Sequence, residues 1–194
     1  MNVYGDSLNL NSKPGGWAIS VTRNSVHTIR PVLRLGGKMK TIGLTQGQFT
    51  LVDDEDFEWL NQWKWYAQKS SNTCYAIRGV GVATLMHRII LKAERNQIID
   101  HINGDGLDNQ KSNIRLCNHL QNNANRRKIK NCSSIFKGVC WSKSCNKWVA
   151  SIACNQKKHH LGCFNSEIDA AKSYDDKALQ LYGEFARINL KKNF

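Results

Sequence analysis

The chain has 194 residues and carries 28 Lys and Arg against 15 Asp and Glu, a formal net charge of +13. So strong a basic excess points to a polyanionic partner or an acidic surface, with nucleic acid the first candidate. No stretch approaches the roughly 20 apolar residues of a membrane span, and the N-terminus lacks the charged-then-apolar layout of a secretory signal, so no membrane partner is expected and the protein is expected to be soluble and intracellular.

The length has room for one medium domain, or for two small modules and a linker. Seven cysteines with no C-x-x-C spacing read as reduced thiols without a shared function. Residues 1–38 hold Gly15-Gly16 and Gly36-Gly37 but little periodicity, and form an extension of unknown role. Met39 opens the first alternating run, so it is the expected natural start. Short strands follow around Ile42 and Leu44, then around Phe49 and Leu51, bounded by Gly43 and Gly47. Asp53-Asp54-Glu55-Asp56 ahead of Phe57, Trp59 and Leu60 reads as a helix with negative charge at its N-terminus, not as a metal site. Trp63 to Ala67 and Tyr75 to Arg78 are expected to pair as strands.

Ile98-Ile99 precede Asp100-His101, and Gly104 and Gly106 follow, the pattern of a strand running into a tight turn. Adjacent side chains on a strand face opposite ways, so the bend at the strand's end is what lets Asp100 and His101 serve one site. Beyond Asp108 no carboxylate occurs until Glu167. That stretch interleaves Lys and Arg with Phe136, Trp141 and Trp148, which suits phosphate contact with counterion release.

From Ser133 the text changes to three short strands, Phe136–Val139, Lys147–Ile152 and His160–Phe164. Ser166 and Asp169 have capping-box spacing, and the helix they open runs to about Tyr182, where Gly183 stops it. Alternation places Trp148, Ala150 and Ile152 against this helix, with Lys147, Val149 and Ser151 on the opposite face.

Asp100-His101, Asn113 ahead of Ile114-Arg115, and Asn122 nine residues further on resemble the HNH, or ββα-metal, nuclease family in its phage and intron-encoded homing branch. Met86-His87-Arg88 resembles the His-Arg step that precedes this motif. The resemblance implies a strand bearing Asp100 and His101, a second strand near Ile114–Leu116, and a helix from about Asn118 to Arg127. It implies that Asp100 and Asn122 hold one Mg²⁺ or Mn²⁺ ion, that His101 is the general base, and that Asn113 orients the imidazole. His87 sits among apolar neighbours, and packing, phosphate contact and catalysis all suit it. Asn109 is read as holding its loop by Asx-type hydrogen bonds.

Lys137-Gly138-Val139, Lys147-Trp148-Val149-Ala150, Leu161-Gly162-Cys163-Phe164, the Ala170-Ala171 pair and Gly183-Glu184-Phe185-Ala186 before Asn189 resemble the AP2/ERF DNA-binding domain. This implies a sheet that reads double-stranded DNA in the major groove with a helix packed behind it. The expected contacts are Lys137, Trp141, Lys143, Lys147, Ser151, Lys158 and His160, with Arg126, Arg127, Lys128 and Lys130 tracking the backbone. Few strand arginines are present, so phosphate contact is expected over base-specific pairing.

The expected fold class is therefore α+β. A β-rich segment leads into the ββα motif (39–127), a basic linker follows (128–132), and a three-stranded antiparallel sheet with one packed helix closes the chain (133–194). The expected function is a metal-dependent DNA endonuclease of homing type, acting without a small-molecule cofactor in the cytoplasm of a prokaryotic or phage-infected cell. The competing expectation is a non-catalytic AP2-type regulator that keeps a decayed nuclease module.

Overall fold

Alternating burial sets the first strands. In the computed structural model, which describes residues 39–70, 73–79, 83–128 and 132–190, β1 (Met39–Gly43) and β2 (Phe49–Asp53) pair antiparallel from Met39↔Asp53 to Gly43↔Phe49. The expectations for residues 1–38 and for Lys130 lie outside the described residues. Ile42, Thr50 and Val52 turn inward, while Met39 and Phe49 stay exposed.

α1 (Asp54–Leu60) begins where the acidic run places it, with Asp54, Glu55 and Asp56 in its first turn, where the helix dipole favours anions. Asp53, at the N-cap, makes no side-chain cap. Its carboxylate instead accepts the backbone N–H of Lys111 at 2.7 Å, and the Lys111 ammonium lies 3.0 Å from Asp56. Leu51 N–H donates to the Leu107 carbonyl and Asn109 N–H to the Leu51 carbonyl, both at 2.8 Å. The acidic segment thus anchors the loop that follows Asp100-His101.

β3 (Tyr66–Lys69), β4 (Cys74–Arg78) and β5 (Thr84–Leu85) form a second sheet in that order. Its first strand starts later than the run from Trp63 suggested, because the Trp65 backbone bridges Leu44 and its carbonyl accepts the Thr45 N–H at 3.1 Å. The Trp65 indole is 1% exposed and donates to the Leu60 carbonyl at 2.8 Å. It packs with Ile42, Val52, Leu60, Ala76, Met86 and Ile114, so one core lies beneath β1, β2, β4, the short helix α2 (Met86–Ile90) and the strands that carry the site.

Those strands are β6 (Ile98–His101) and β7 (Ile114–Cys117), antiparallel with Asp100 opposite Arg115 and His101 opposite Ile114. α3 (His119–Asn125) follows directly. Asn118 caps it by accepting from Gln121 N–H, and Gln121 returns a bond to the Asn118 N–H, a reciprocal capping box that fixes where the helix starts.

β8 (Val139–Ser142), β9 (Lys147–Cys154) and β10 (Lys157–Phe164) form an antiparallel sheet in the order β10-β9-β8. α4 (Glu167–Tyr182) lies on one face of it, started by Ser166 and ended at Gly183, whose φ is 53°. Trp148, Ala150 and Ile152 pack toward α4 with Ala170, Ala171, Tyr174 and Ala178, as the alternation of β9 requires. The described residues belong to one compact unit. A 3-10 turn, Gly183–Phe185, carries the chain from α4 back to α3.

Candidate active site

Asp100 and His101 close β6 and are both buried. Register sends them to opposite faces. Asp100 looks toward β7 and α3. Its Oδ2 accepts Nε of Arg115 at 3.2 Å and Nη2 at 3.0 Å. The Asn125 amide donates to Oδ1 at 2.9 Å, to Oδ2 at 3.0 Å and to the His101 carbonyl at 2.8 Å. One helix residue thereby fixes both the carboxylate and the backbone at the strand's bend.

His101 looks the other way, into a group of rings. Its centroid lies 4.9 Å from His87, edge-on, and 5.8 Å from Tyr75. Its Nε2 is 3.3 Å from Oδ1 of Asn109. Asn109 Nδ2 donates to Thr50 Oγ1 at 2.7 Å, and the Thr50 hydroxyl donates to the Leu107 carbonyl at 2.7 Å. The polarity of this chain assigns the tautomer: the Asn109 oxygen accepts, so Nε2 carries the proton and Nδ1 is the basic nitrogen. Burial pushes the His101 imidazole below its ordinary pKa, opposed by Asn109 and by Asp100, which leaves the ring neutral near pH 7.

Asn113 does not make the expected bond to the imidazole. Its Oδ1 accepts from Asn103 N–H at 3.0 Å, and its amide donates to Asn103 Oδ1 at 3.1 Å and to the Asp108 carbonyl at 2.8 Å. Asn113 therefore ties the 103–113 loop, and Asn109, expected to hold that loop, is the residue that faces His101. Both asparagines sit in one turn-rich segment, and only the path of the loop decides which reaches the ring. Asn122 lines the same cleft as Asp100, His101, Tyr75, Asn125, Arg126 and Arg127.

His87 lies buried on α2, and its Nδ1 has no hydrogen-bond partner. Burial, followed by His101 and Arg88, pushes its pKa down to about 3. An unfolded histidine takes up a proton near pH 6.5, whereas folded His87 stays neutral until about pH 3. Between those values the unfolded state binds more protons, so stability falls as pH drops, by at most about 1.4 kcal/mol per pH unit for this group. Urea midpoints are expected to be lower at pH 5 than at pH 7.5, and His87→Phe is expected to flatten that dependence. An unchanged slope in the variant would remove His87 as its source.

The sequence-derived DNA contacts separate into three groups. Lys147, Ser151, Lys158 and His160 share the sheet face away from α4, since His160 pairs with Ser151 and Lys158 with Ala153 in register. Lys143 is exposed in the turn beside them. Trp141 is opposite Trp148 in register, with rings 5.1 Å apart and edge-on, which puts it on the α4 side at the sheet margin. Lys137 is partly buried, and its ammonium donates to the Ala124 carbonyl at the end of α3. Burial, then Arg187 and Arg126, lowers its pKa to about 8. Lys128, half-buried, follows Arg126 and Arg127 past α3.

Sequence reasoning missed Asn125, Arg115, Thr50 and Tyr75. Asn125 stands three residues after Asn122 on one helix face, so its signal was present. Arg115 was visible only as part of a motif step, and Thr50 and Tyr75 carry no local mark.

Among the described residues no three His, Cys, Asp or Glu side chains gather as a metal cluster. The oxygen donors at hand are the Asp100 carboxylate and the amides of Asn122 and Asn125, in a single cleft. Mg²⁺ and Mn²⁺ suit oxygen ligands, and Mg²⁺ takes few protein ligands, keeping waters and substrate phosphate for the rest. A carboxylate offers about four lone-pair sites, and Oδ1 of Asp100 takes only the Asn125 amide, so the residues present fit such an ion.

Comparison with known proteins supplies the class. A protein of Acanthamoeba polyphaga mimivirus described as an uncharacterized HNH endonuclease is 31% identical over 151 residues, covering 76% of this chain and 78% of the relative. Protein 3.8 of Escherichia phage T7 is 32% identical over 89 residues, 46% of this chain and 73% of that protein. No family model matches the chain, and no solved structure matches it. The identity and reach of the viral relative show that this chain belongs to the HNH endonuclease family.

Proposed function

We propose that the protein is a metal-dependent DNA endonuclease of homing type in which β6, β7 and α3 form a ββα-metal site and the C-terminal sheet is an AP2-like DNA anchor. The observation that carries this reading is that Asp100, His101 and Asn122 all line one cleft, with Arg126 and Arg127 at its side.

His101 is the general base. The Asn109–Thr50 chain holds Nε2 as donor, so Nδ1 accepts a proton from the attacking water. Asn125 and Arg115 orient Asp100, and Asn113 keeps the loop after the strand in shape. Asp100 and Asn122 would hold Mg²⁺ or Mn²⁺, which supplies electrostatic stabilisation of the negative charge that grows on the phosphate and on the departing 3′ oxygen. Arg126 and Arg127 bind backbone phosphates. The exposed face with Lys147, Ser151, Lys158 and His160, joined by Lys143, lies on double-stranded DNA mainly through phosphate contact. Viral and phage relatives favour a working place inside an infected cell.

The test is incubation of supercoiled plasmid carrying the DNA that flanks the gene with the full chain and Mg²⁺ or Mn²⁺. Nicked or linear product is expected, abolished by EDTA. DNA binding with no cutting across metals and substrates would favour the non-catalytic regulator instead.

A further inference from the structure

The two sides of the cleft do not come from one stretch of sequence. Arg115 Nη1 donates to the Glu184 carbonyl at 2.9 Å, and its guanidinium lies 4.0 Å from the centre of the Phe185 ring. Arg187 N–H donates to the Ala124 carbonyl at 3.3 Å. The segment after α4 is thus seated on β7 and the end of α3, and it brings one more cation to the Gly104 edge of the cleft.

That cation is Arg187. Its Nη1 and Nη2 each lie 3.4 Å from the Asn103 carbonyl, while Arg127 Nη2 lies 3.1 Å from the carbonyl of the next residue, Gly104. A Cβ on Gly104 would stand 3.1 Å from Nε of Arg127 and 3.1 Å from Nη1 of Arg187, so those two nitrogens are apart by at most twice that distance. Gly104 itself lines the cleft of Asp100 and His101.

Two guanidiniums this close repel each other, and among the described residues neither is in an ion pair. Asp100, the nearest acid in the cleft, is already engaged by Arg115 and Asn125. Arg126 and Lys137 add to the same positive field; burial first, then Arg187 and Arg126, lowers the Lys137 pKa. Each guanidinium has five N–H donors in a rigid fork, and each spends few of them on the loop carbonyls. Asp100 acts on Arg187 through its charge without pairing with it, and like charges with no ion-pair partner and with donors in reserve are arranged for an anion.

We propose that Arg127 and Arg187 form a composite clamp for one DNA backbone phosphate beside the scissile one, half supplied by the segment after α3 and half by the segment after α4. The clamp rests on the reading of the protein as a DNA nuclease. It makes Arg187 a positioning residue: it seats the strand against His101 and links the C-terminal sheet to the cutting site, so that DNA held by one is registered on the other.

The test is binding, not cutting. The full chain and its variants are titrated with a fluorescent duplex in EDTA over a range of salt. Arg187→Gln keeps a side-chain N–H for the Asn103 carbonyl and removes the charge. It is expected to weaken binding about tenfold and to lower the slope of log K against log salt by about one, with an unchanged melting temperature. Arg127→Gln is expected to do the same. If they share one phosphate, the double variant lowers the slope by about one also, since the losses are not additive.

An unchanged slope and affinity in Arg187→Gln overturns the clamp, and so does a double variant that loses twice the slope. Should Arg187→Gln fail to fold, Arg187→Lys is read instead, and wild-type slope with weaker, less productive binding is the outcome that keeps the clamp; full wild-type behaviour overturns it. Cutting by the wild type with either overturning result sinks the clamp alone. Absence of DNA binding by the wild type sinks the nuclease reading with it.

Discussion

His101→Ala is expected to lower the rate of plasmid cleavage about 100- to 10,000-fold while duplex affinity measured in EDTA changes by less than about twofold. The reason lies in what His101 touches. Its Nε2 is committed to Asn109, so in the proposed mechanism Nδ1 is the nitrogen that accepts the proton, and removing the ring is expected to take away a step in the reaction and not a phosphate contact. His101→Ala also leaves Oδ1 of Asn109 without its donor inside the core, so a melting curve accompanies the assay. Cleavage within about threefold of wild type, in folded protein, would remove His101 as the base.

Gly138→Ala is the substitution with the largest expected effect on stability. Gly138 has φ of 76°, and a Cβ there would overlap Cδ2 of Tyr174 and lie 2.8 Å from the Ser151 carbonyl oxygen. Its own carbonyl accepts the Ser151 N–H at 2.8 Å, so the chain cannot swing away without breaking the entry to the sheet. Left-handed backbone costs an L-residue about 1–2 kcal/mol, and overpacking a filled site costs about 1–3 kcal/mol more. A loss of about 3 kcal/mol is therefore expected in urea unfolding. Because α4 leads into the turn that seats Arg187, cleavage should fail together with the C-terminal fold. A change under about 0.5 kcal/mol would mean that Tyr174 is not packed on this glycine.

The resemblance to HNH nucleases was legible because its chemistry is local. Asp100 and His101 are neighbours, the bend after them needs glycine and Asx turns, and a capped helix follows at short range. Alternation in β9 was equally plain, since a period of two assigns each side chain to a face. The AP2 resemblance rests on such local marks too. The structure has a three-stranded antiparallel sheet in the order β10-β9-β8 with α4 on one face; its AP2-like identity and its role on DNA are both part of the proposal.

Charge was less legible. The run without acids between Asp108 and Glu167 suggested unopposed cations suited to phosphate contact, but Lys111 is paired with Glu55 and Asp56, and Arg115 with Asp100. Local acid content says nothing about which carboxylates the fold returns from elsewhere in the chain. Lys137 likewise looked like a contact residue, whereas the fold spends its ammonium on the end of α3.

By itself, the sequence determined that these segments form strands and helices, which face β9 buries and which residue types surround Asp100-His101, because periodicity, capping and turn chemistry act over a few residues; strand ends were set by pairing, β8 running Val139–Ser142 where Phe136–Val139 was expected and β10 beginning at Lys157 and not at His160. Tertiary structure alone decided that Asn109 and not Asn113 meets the imidazole, that Asn125 and Arg115 hold Asp100, and that Arg187 comes back beside Gly104 from the far end of the chain. Those outcomes depend on packing that joins β2, α3 and the turn after α4, and contacts between residues dozens of positions apart leave no pattern in the local text.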